Sequence, residues 1–211
     1  MIPEGAVVLT AEALAAEPRW EPARAMALRG NCRGVLLRGW QQLCVGRWGA
    51  GAPARVLAAL GADSRRLPDK PGRLAWLPVG LQIRVTDVII EEFLGGDARG
   101  VEAALRENSL AASDGMMARM ARSLGPAGLI RRATEWQSHL YDVGRVRVEV
   151  RERECEALAV FEGAEMYENP TWRVVQLAAQ RLVIEKSGRG VREIYGVGLR
   201  GGRYGVYLGW R

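Results

Sequence analysis

Through the first two-thirds of the chain, apolar residues recur at the three-and-four spacing of helices; beyond that they alternate with polar ones. The first thirty residues, broken by Pro3, Pro18 and Pro22, predict a short strand and interrupted helical pieces, read as an N-terminal extension. Cys32, Leu36, Trp40 and Leu43 mark one face of a helix. Pro53 opens a second, carrying Val56, Leu57 and Leu60 and stopping at Gly61, since a proline in the first turn gives up an N–H that had no partner. "DSRRLPDKPGRLAW" reads as a linker. A third helix is predicted from Val79 to Leu94, with Leu81, Val85, Val88, Ile89 and Phe93 buried and Gly95-Gly96 as its stop. Two more are predicted, Met116 to Leu124 and Ala127 to Asp142, divided at Gly125-Pro126. In the latter, Leu129, Ala133, Trp136 and Leu140 share one stripe at about 100° per residue.

The period then changes. "RVRVEVR" puts Val146, Val148 and Val150 on one side and charges on the other, and "EALAVFEG" returns as its hairpin partner through a turn near Arg153-Glu154. "ENPTWRVVQLAAQRLVIEKSG" is a punctuated helix: Asn169 caps it, Pro170 fits the first position, and Lys186 and Gly188 close it. Trp172, Val175, Ala179 and Leu182 are its predicted core face. "VREIYGVGLRGGRYGVYLGWR" folds back at Gly201-Gly202. The expected fold class is α+β: an N-terminal helical part packed on a four-stranded antiparallel sheet of two hairpins separated by a helix. One domain is expected over 1–211, mainly helical from 31 to 142 and hairpin-helix-hairpin from 145 to 211.

Composition bounds the function. At 48% hydrophobic and 26% charged, the 211 residues suit a globular protein with a substantial core. The first residues lack the charged and apolar regions of a secretory signal, and no apolar run is long enough to span a bilayer. Cys32, Cys44 and Cys155 are odd in number and scattered, which fits reduced thiols and a cytoplasmic location and not a zinc cluster. The net charge of +6 raises the question of nucleic acid, but the arginines are interspersed with acids, as in "RVRVEVRERECE". Nucleic-acid binding is therefore the weakest of the readings.

Candidate chemistry is thin. Gly196, Gly198 and Gly201 spell G-x-G-x-x-G, but a strand follows where a pyrophosphate cradle needs a helix, so they read as turn and sheet-packing glycines. A single histidine, His139, would have to serve every nucleophile triad, and Glu91-Glu92 and Glu152, Glu154 and Glu156 read as solvated faces. His139 falls about 80° from the Leu129 stripe, near Arg132 and Glu135, which favours a surface or boundary place over ligation. Neither catalytic residues, cofactor nor metal ligands are assigned.

The order helix with histidine, hairpin, capped helix, hairpin resembles the C-terminal half of haem nitric-oxide/oxygen-binding domains, a fold group shared with four-vinyl-reductase domains and TRAPP vesicle-tethering subunits. "RGVLLRGWQQLCVGRWG", "ARVLAALGAD", "ARSLGPAGLIRRATEW" and "DVGRVRVEV" also resemble a myxobacterial paralogous family of unknown function, over roughly Arg29 to Phe161. The resemblance implies the fold and supplies no activity. Haem-binding members carry a proximal histidine, for which His139 is the one counterpart, and a Y-x-S-x-R motif that grips the propionates. Here Tyr141 and Arg145 have that spacing, but Val143 replaces the serine and the set crowds against His139, so the motif counts as absent. The zinc-holding reductase-type sensors use several nearby cysteines, whereas this region has Cys155 alone.

The expected function is a non-enzymatic regulatory or scaffolding domain acting through protein–protein contacts and self-associating as a dimer. Trp40, Arg47 and Trp48 are its candidate interface, because aromatics and arginine are enriched at interface centres. A core role for Trp40 and a loop-covering role for Trp48 stand beside that reading. The alternative is a sensor holding an apolar small molecule between helices and sheet, near Trp136 and Trp172.

Overall fold

The computed structural model describes residues 2–111 and 116–211. In chain order the elements are β1 (Val7–Leu9), α1 (Ala11–Ala16), α2 (Pro22–Met26), β2 (Asn31–Arg33), α3 (Gly34–Trp48), α4 (Ala52–Leu60), β3 (Trp76–Pro78), α5 (Val79–Leu94) and α6 (Gly100–Ala111). Then come α7 (Met116–Arg131), α8 (Ala133–Leu140), β4 (Arg145–Arg151), β5 (Glu156–Glu162), α9 (Pro170–Lys186), β6 (Val191–Leu199) and β7 (Arg203–Trp210). The fold is α+β, with an antiparallel sheet in the order β1-β6-β7-β5-β4.

Both predicted hairpins form. Val148 faces Ala159, Ala159 faces Val206, and Val206 faces Gly196, so one row of small and branched residues crosses four strands. The β6–β7 turn runs through Gly201 and Gly202, both at positive φ (73° and 68°), a conformation that costs glycine nothing and matches the twist of the strands. The sheet has five strands, not the four expected. Val7–Leu9 adds to the free edge of β6, Val8 opposite Val197. Three residues are too few to show alternation. The N-terminal stretch is thus built into the fold, with Leu14 and Ala25 in the core.

Phe161, Tyr204, Val206 and Leu208 point to the face that α9 covers, and each such burial contributes about 1.5–3 kcal/mol of transfer free energy. The α9 start is as read from sequence: Asn169 Oδ1 accepts the Trp172 backbone N–H at 2.9 Å, and Pro170 opens the first turn. Its buried set differs from the single stripe expected. Thr171, Trp172, Val174, Leu177, Ala178 and Ile184 are buried, while Val175, Ala179 and Leu182 are half-buried. The helix is pressed from two sides, by the sheet and by α1, α6 and α7.

The helical layer is centred on α5, buried along nearly its whole length from Val79 to Ile90. It crosses α2 at Gly80, where a Cβ would overlap the Ala25 carbonyl. In α3 the buried residues are Leu37, Trp40, Leu43 and Cys44; Cys32 lies before it in β2, which pairs with β3. The stripe proposed for Leu129, Ala133, Trp136 and Leu140 is not formed. Gly125 breaks the helix as expected (φ 63°), and Arg132 separates α7 from α8 while keeping right-handed helical dihedrals (φ −79°, ψ −6°). The inward face runs through Ile130, more deeply buried than Leu129, and through Gln137 seven residues on, so Gln137 and not Trp136 is the inward residue of α8, and Trp136 is 38% exposed.

Candidate functional site

The boundary between the helical layer and the sheet is where the alternative reading placed a ligand, and it is built around five polar side chains. In the apolar run of α5, Gln82 and Thr86 are one turn apart, and Thr86 Oγ1 donates to the Gln82 carbonyl at 2.9 Å. Gln82 Nε2 donates to the Tyr141 hydroxyl at 3.1 Å, and Gln137 Nε2 donates to the Tyr167 hydroxyl at 2.8 Å. Gln82 Oε1 is buried and has no hydrogen-bond partner.

Local chemistry holds this seam in place. Asp142, just past α8, accepts from the Asn31 backbone at 2.6 Å and from its side-chain amide at 2.7 Å. That double bond, with the Cys32–Tyr141 bridge, stitches β2 to the end of α8 and turns Tyr141 inward. Arg173 Nε donates to the Tyr167 carbonyl at 2.7 Å. Burial pushes the Tyr141 hydroxyl up to about 12 and the Tyr167 hydroxyl well above its ordinary value, so both stay neutral. Burial likewise takes the Cys32 thiol to about 12 and the Cys44 thiol to about 11, which leaves neither as a nucleophile.

Aromatic rings fill the sheet side of the seam. Trp172 meets Tyr167 at 4.8 Å and Phe161 edge-on at 5.1 Å between ring centres, and Tyr204 closes the group at 6.2 Å from Trp172. The two proposed pocket residues are therefore not brought together. Trp172 is 3% exposed inside this cluster, and Trp136 faces outward from α8. Of the proposed interface residues, Trp40 is buried against Cys44, Val56 and Ile89, around a void of about 20 Å³. Trp48 stacks on Phe93 at 4.6 Å, and Arg47 pairs with Glu107 while its guanidinium lies 5.7 Å from the Trp48 ring. All three are engaged within the chain.

Sequence reasoning missed Gln82, Gln137 and Asp87. For α5 a signal was present: a run apolar all round is buried, so the polar residues in "VGLQIRVTDVII" must find partners inside. Among the described residues no cluster of three His, Cys, Asp or Glu could hold a metal ion.

No family model matches this chain, and no curated protein sequence matches it. Solved structures do. The crystal structure of the Fe(II) unliganded H-NOX protein from K. algicida superposes with a TM-score of 0.61 at 8% identity, covering 85% of this chain and 96% of that one. A point mutant of the same protein gives 0.58 at 9% identity over the same shares. The chain has the H-NOX fold.

The residues present do not fit a haem. His139 is exposed, and its backbone carbonyl is taken by Arg33 Nε at 3.2 Å; the side chain that α8 turns inward is Gln137. The Tyr141 hydroxyl is bonded to Gln82, Val143 stands where a serine would be needed, and Arg145 pairs with Glu162 across the hairpin at 2.7 Å. The cluster of Phe161, Tyr167, Trp172 and Tyr204 occupies the space between the layers.

Proposed function

We propose that this chain is a non-enzymatic regulatory domain of the sensor type, working without haem, that binds a small molecule and reports the bound state to a protein partner. The observation that carries the reading is the fold: most of the chain superposes on an iron(II) H-NOX protein, whose name places it with haem nitric-oxide/oxygen-binding sensors. Native mass spectrometry of the freshly purified chain, against its denatured mass, tests the reading. A noncovalent adduct lighter than haem that vanishes on denaturation supports it. A bare native mass, with no thermal shift across a metabolite library, refutes it.

Protein contact without a ligand is the second reading, and one surface favours it. Leu74 (78% exposed), Trp76 (40%) and Trp136 lie on the outer surface. Arg33 links that surface, with its guanidinium 3.8 Å from the Trp76 ring centre and its Nε on the His139 carbonyl. A self-associating interface of this kind survives moderate salt, whereas a polyanion contact collapses with it. Light scattering across a salt series separates the two, and a monomer at every concentration removes self-association.

A further inference from the structure

On α5 a third buried polar side chain, Asp87, lies about 140° around the helix from Gln82, and its surroundings differ. Asp87 is 3% exposed. Its Oδ1 accepts from the Thr171 hydroxyl at 2.5 Å, at the start of α9, and its Oδ2 has no hydrogen-bond partner. The nearest cation, Arg84, stands 3.8 Å from Oδ2 and shares its charge with Asp63 at 3.7 Å; Arg84 Nε is itself buried without a hydrogen bond. A desolvated carboxylate oxygen without a donor is costly and rare in a folded chain. Asp87 is one of the residues that line a cleft of about 330 Å³ between α5 and the segment joining α1 to α2, within the size range of small-molecule sites.

The walls of the cleft set the sign of what fits. Glu21, Asp87, Glu91 and Glu92 line it against two guanidiniums, Arg19 and Arg84. Arg19 is spent on Glu91 and on the Gly96 carbonyl, and Glu92 is paired with Arg55. Glu21 has no ion pair among the described residues. Trp20 forms part of the wall and already carries one cation, Arg24, 3.6 Å from its ring centre, while Pro22, Ala59 and Val88 offer an aliphatic surface.

We propose that this cleft binds a small organic cation, a primary amine or alkyl guanidine, whose charged head donates to Asp87 Oδ2 and whose short aliphatic body lies along Val88 beside Trp20. An anion is disfavoured by the excess of carboxylates, and an uncharged alcohol adds no positive charge to the one that Arg84 shares between Asp87 and Asp63. Burial raises the Asp87 carboxyl to about 6, so the empty cleft accepts a proton where the filled one accepts the ligand. The groups facing it are Thr171 from α9, Arg84 and Glu91 from its own helix, and Arg19 from the α1–α2 segment. The site is independent of the sensor reading, which rests on the fold.

Isothermal titration of the full chain with agmatine, putrescine and propylamine tests the proposal, with butyrate and butanol as the anionic and neutral controls. One saturable site for the amines is expected at pH about 7.5, weakening about tenfold by pH about 5 as Asp87 takes up its proton. Asp87→Asn abolishes that binding, and Glu21→Gln, a surface change that leaves folding intact, weakens it about two- to threefold. Should Asp87→Asn fail to fold, the Glu21→Gln titration and the wild-type pH dependence decide. Butyrate binding in place of the amines, amine affinity unchanged in a folded Asp87→Asn, or no saturable heat up to about 10 mM amine overturns the proposal.

Discussion

Replacing Trp172 by alanine removes the ring at the centre of the seam and tests whether that seam is solid. Trp172 is 3% exposed and touches Tyr167, Phe161 and Tyr204 with ring centres 4.8–6.2 Å away. Truncating a buried Trp to Ala costs about 3–5 kcal/mol, from lost transfer energy and from the cavity left behind. Edge-on aromatic pairs add about 0.5–1.5 kcal/mol each, so the upper part of that range is expected here. A domain of ordinary stability, about 5–15 kcal/mol, survives the change with a much lower midpoint. Urea unfolding followed by far-UV circular dichroism measures it: the midpoint should fall while the slope stays constant. The hole left behind is apolar and shaped for an indole, so millimolar indole should raise the variant's Tm and leave the wild type unchanged. A loss below about 1 kcal/mol, with no indole rescue, would show that the ring is not packed and that the seam is open space.

Gly80→Val drives a side chain into the Ala25 carbonyl, and overpacking of this kind should cost about 1–3 kcal/mol in a denaturation midpoint. Asn169→Ala removes the cap of α9 but also a buried amide nitrogen that has no partner, so its cost should stay near 1 kcal/mol in the usual range of about 0.5–2. Asp87 has a folded-state value of about 6, above the 3.8 of the free side chain, so the folded form holds its proton more tightly. Its contribution is full below about pH 4 and is lost as pH rises through about 6. The stability difference between Asp87→Asn and wild type should therefore shift in favour of the variant across that window, and a difference that does not vary with pH would refute the assignment.

The second half of the fold was legible because each signal was local. Val146, Val148 and Val150 alternate within one strand, and Asn169-Pro170 carries its own cap. The third signal, the turn at Gly201-Gly202, needs no distant partner. What was missed depends on distance in sequence or on phase. The three residues of β1 pair with β6 nearly the whole chain away, and nothing in "VVL" names that partner. Trp136 and Gln137 exchange places because Leu129 and Ile130 are both buried and the inward face follows Ile130, one residue on from the stripe drawn through Leu129. At the seam, His139 could be placed off the apolar face by angle alone. The pairings of Gln82 with Tyr141, 59 residues apart, and of Thr171 with Asp87, 84 apart, belong to tertiary structure.

The central claim is that this chain keeps the H-NOX fold while its side chains fill the place of a haem, and an absorption spectrum tests it most directly. The full chain, expressed with a haem precursor and purified without added ligand, should show no Soret band, and His139→Ala should change nothing, because that side chain is exposed and α8 turns Gln137 inward. A stoichiometric Soret band that disappears in His139→Ala would contradict the account.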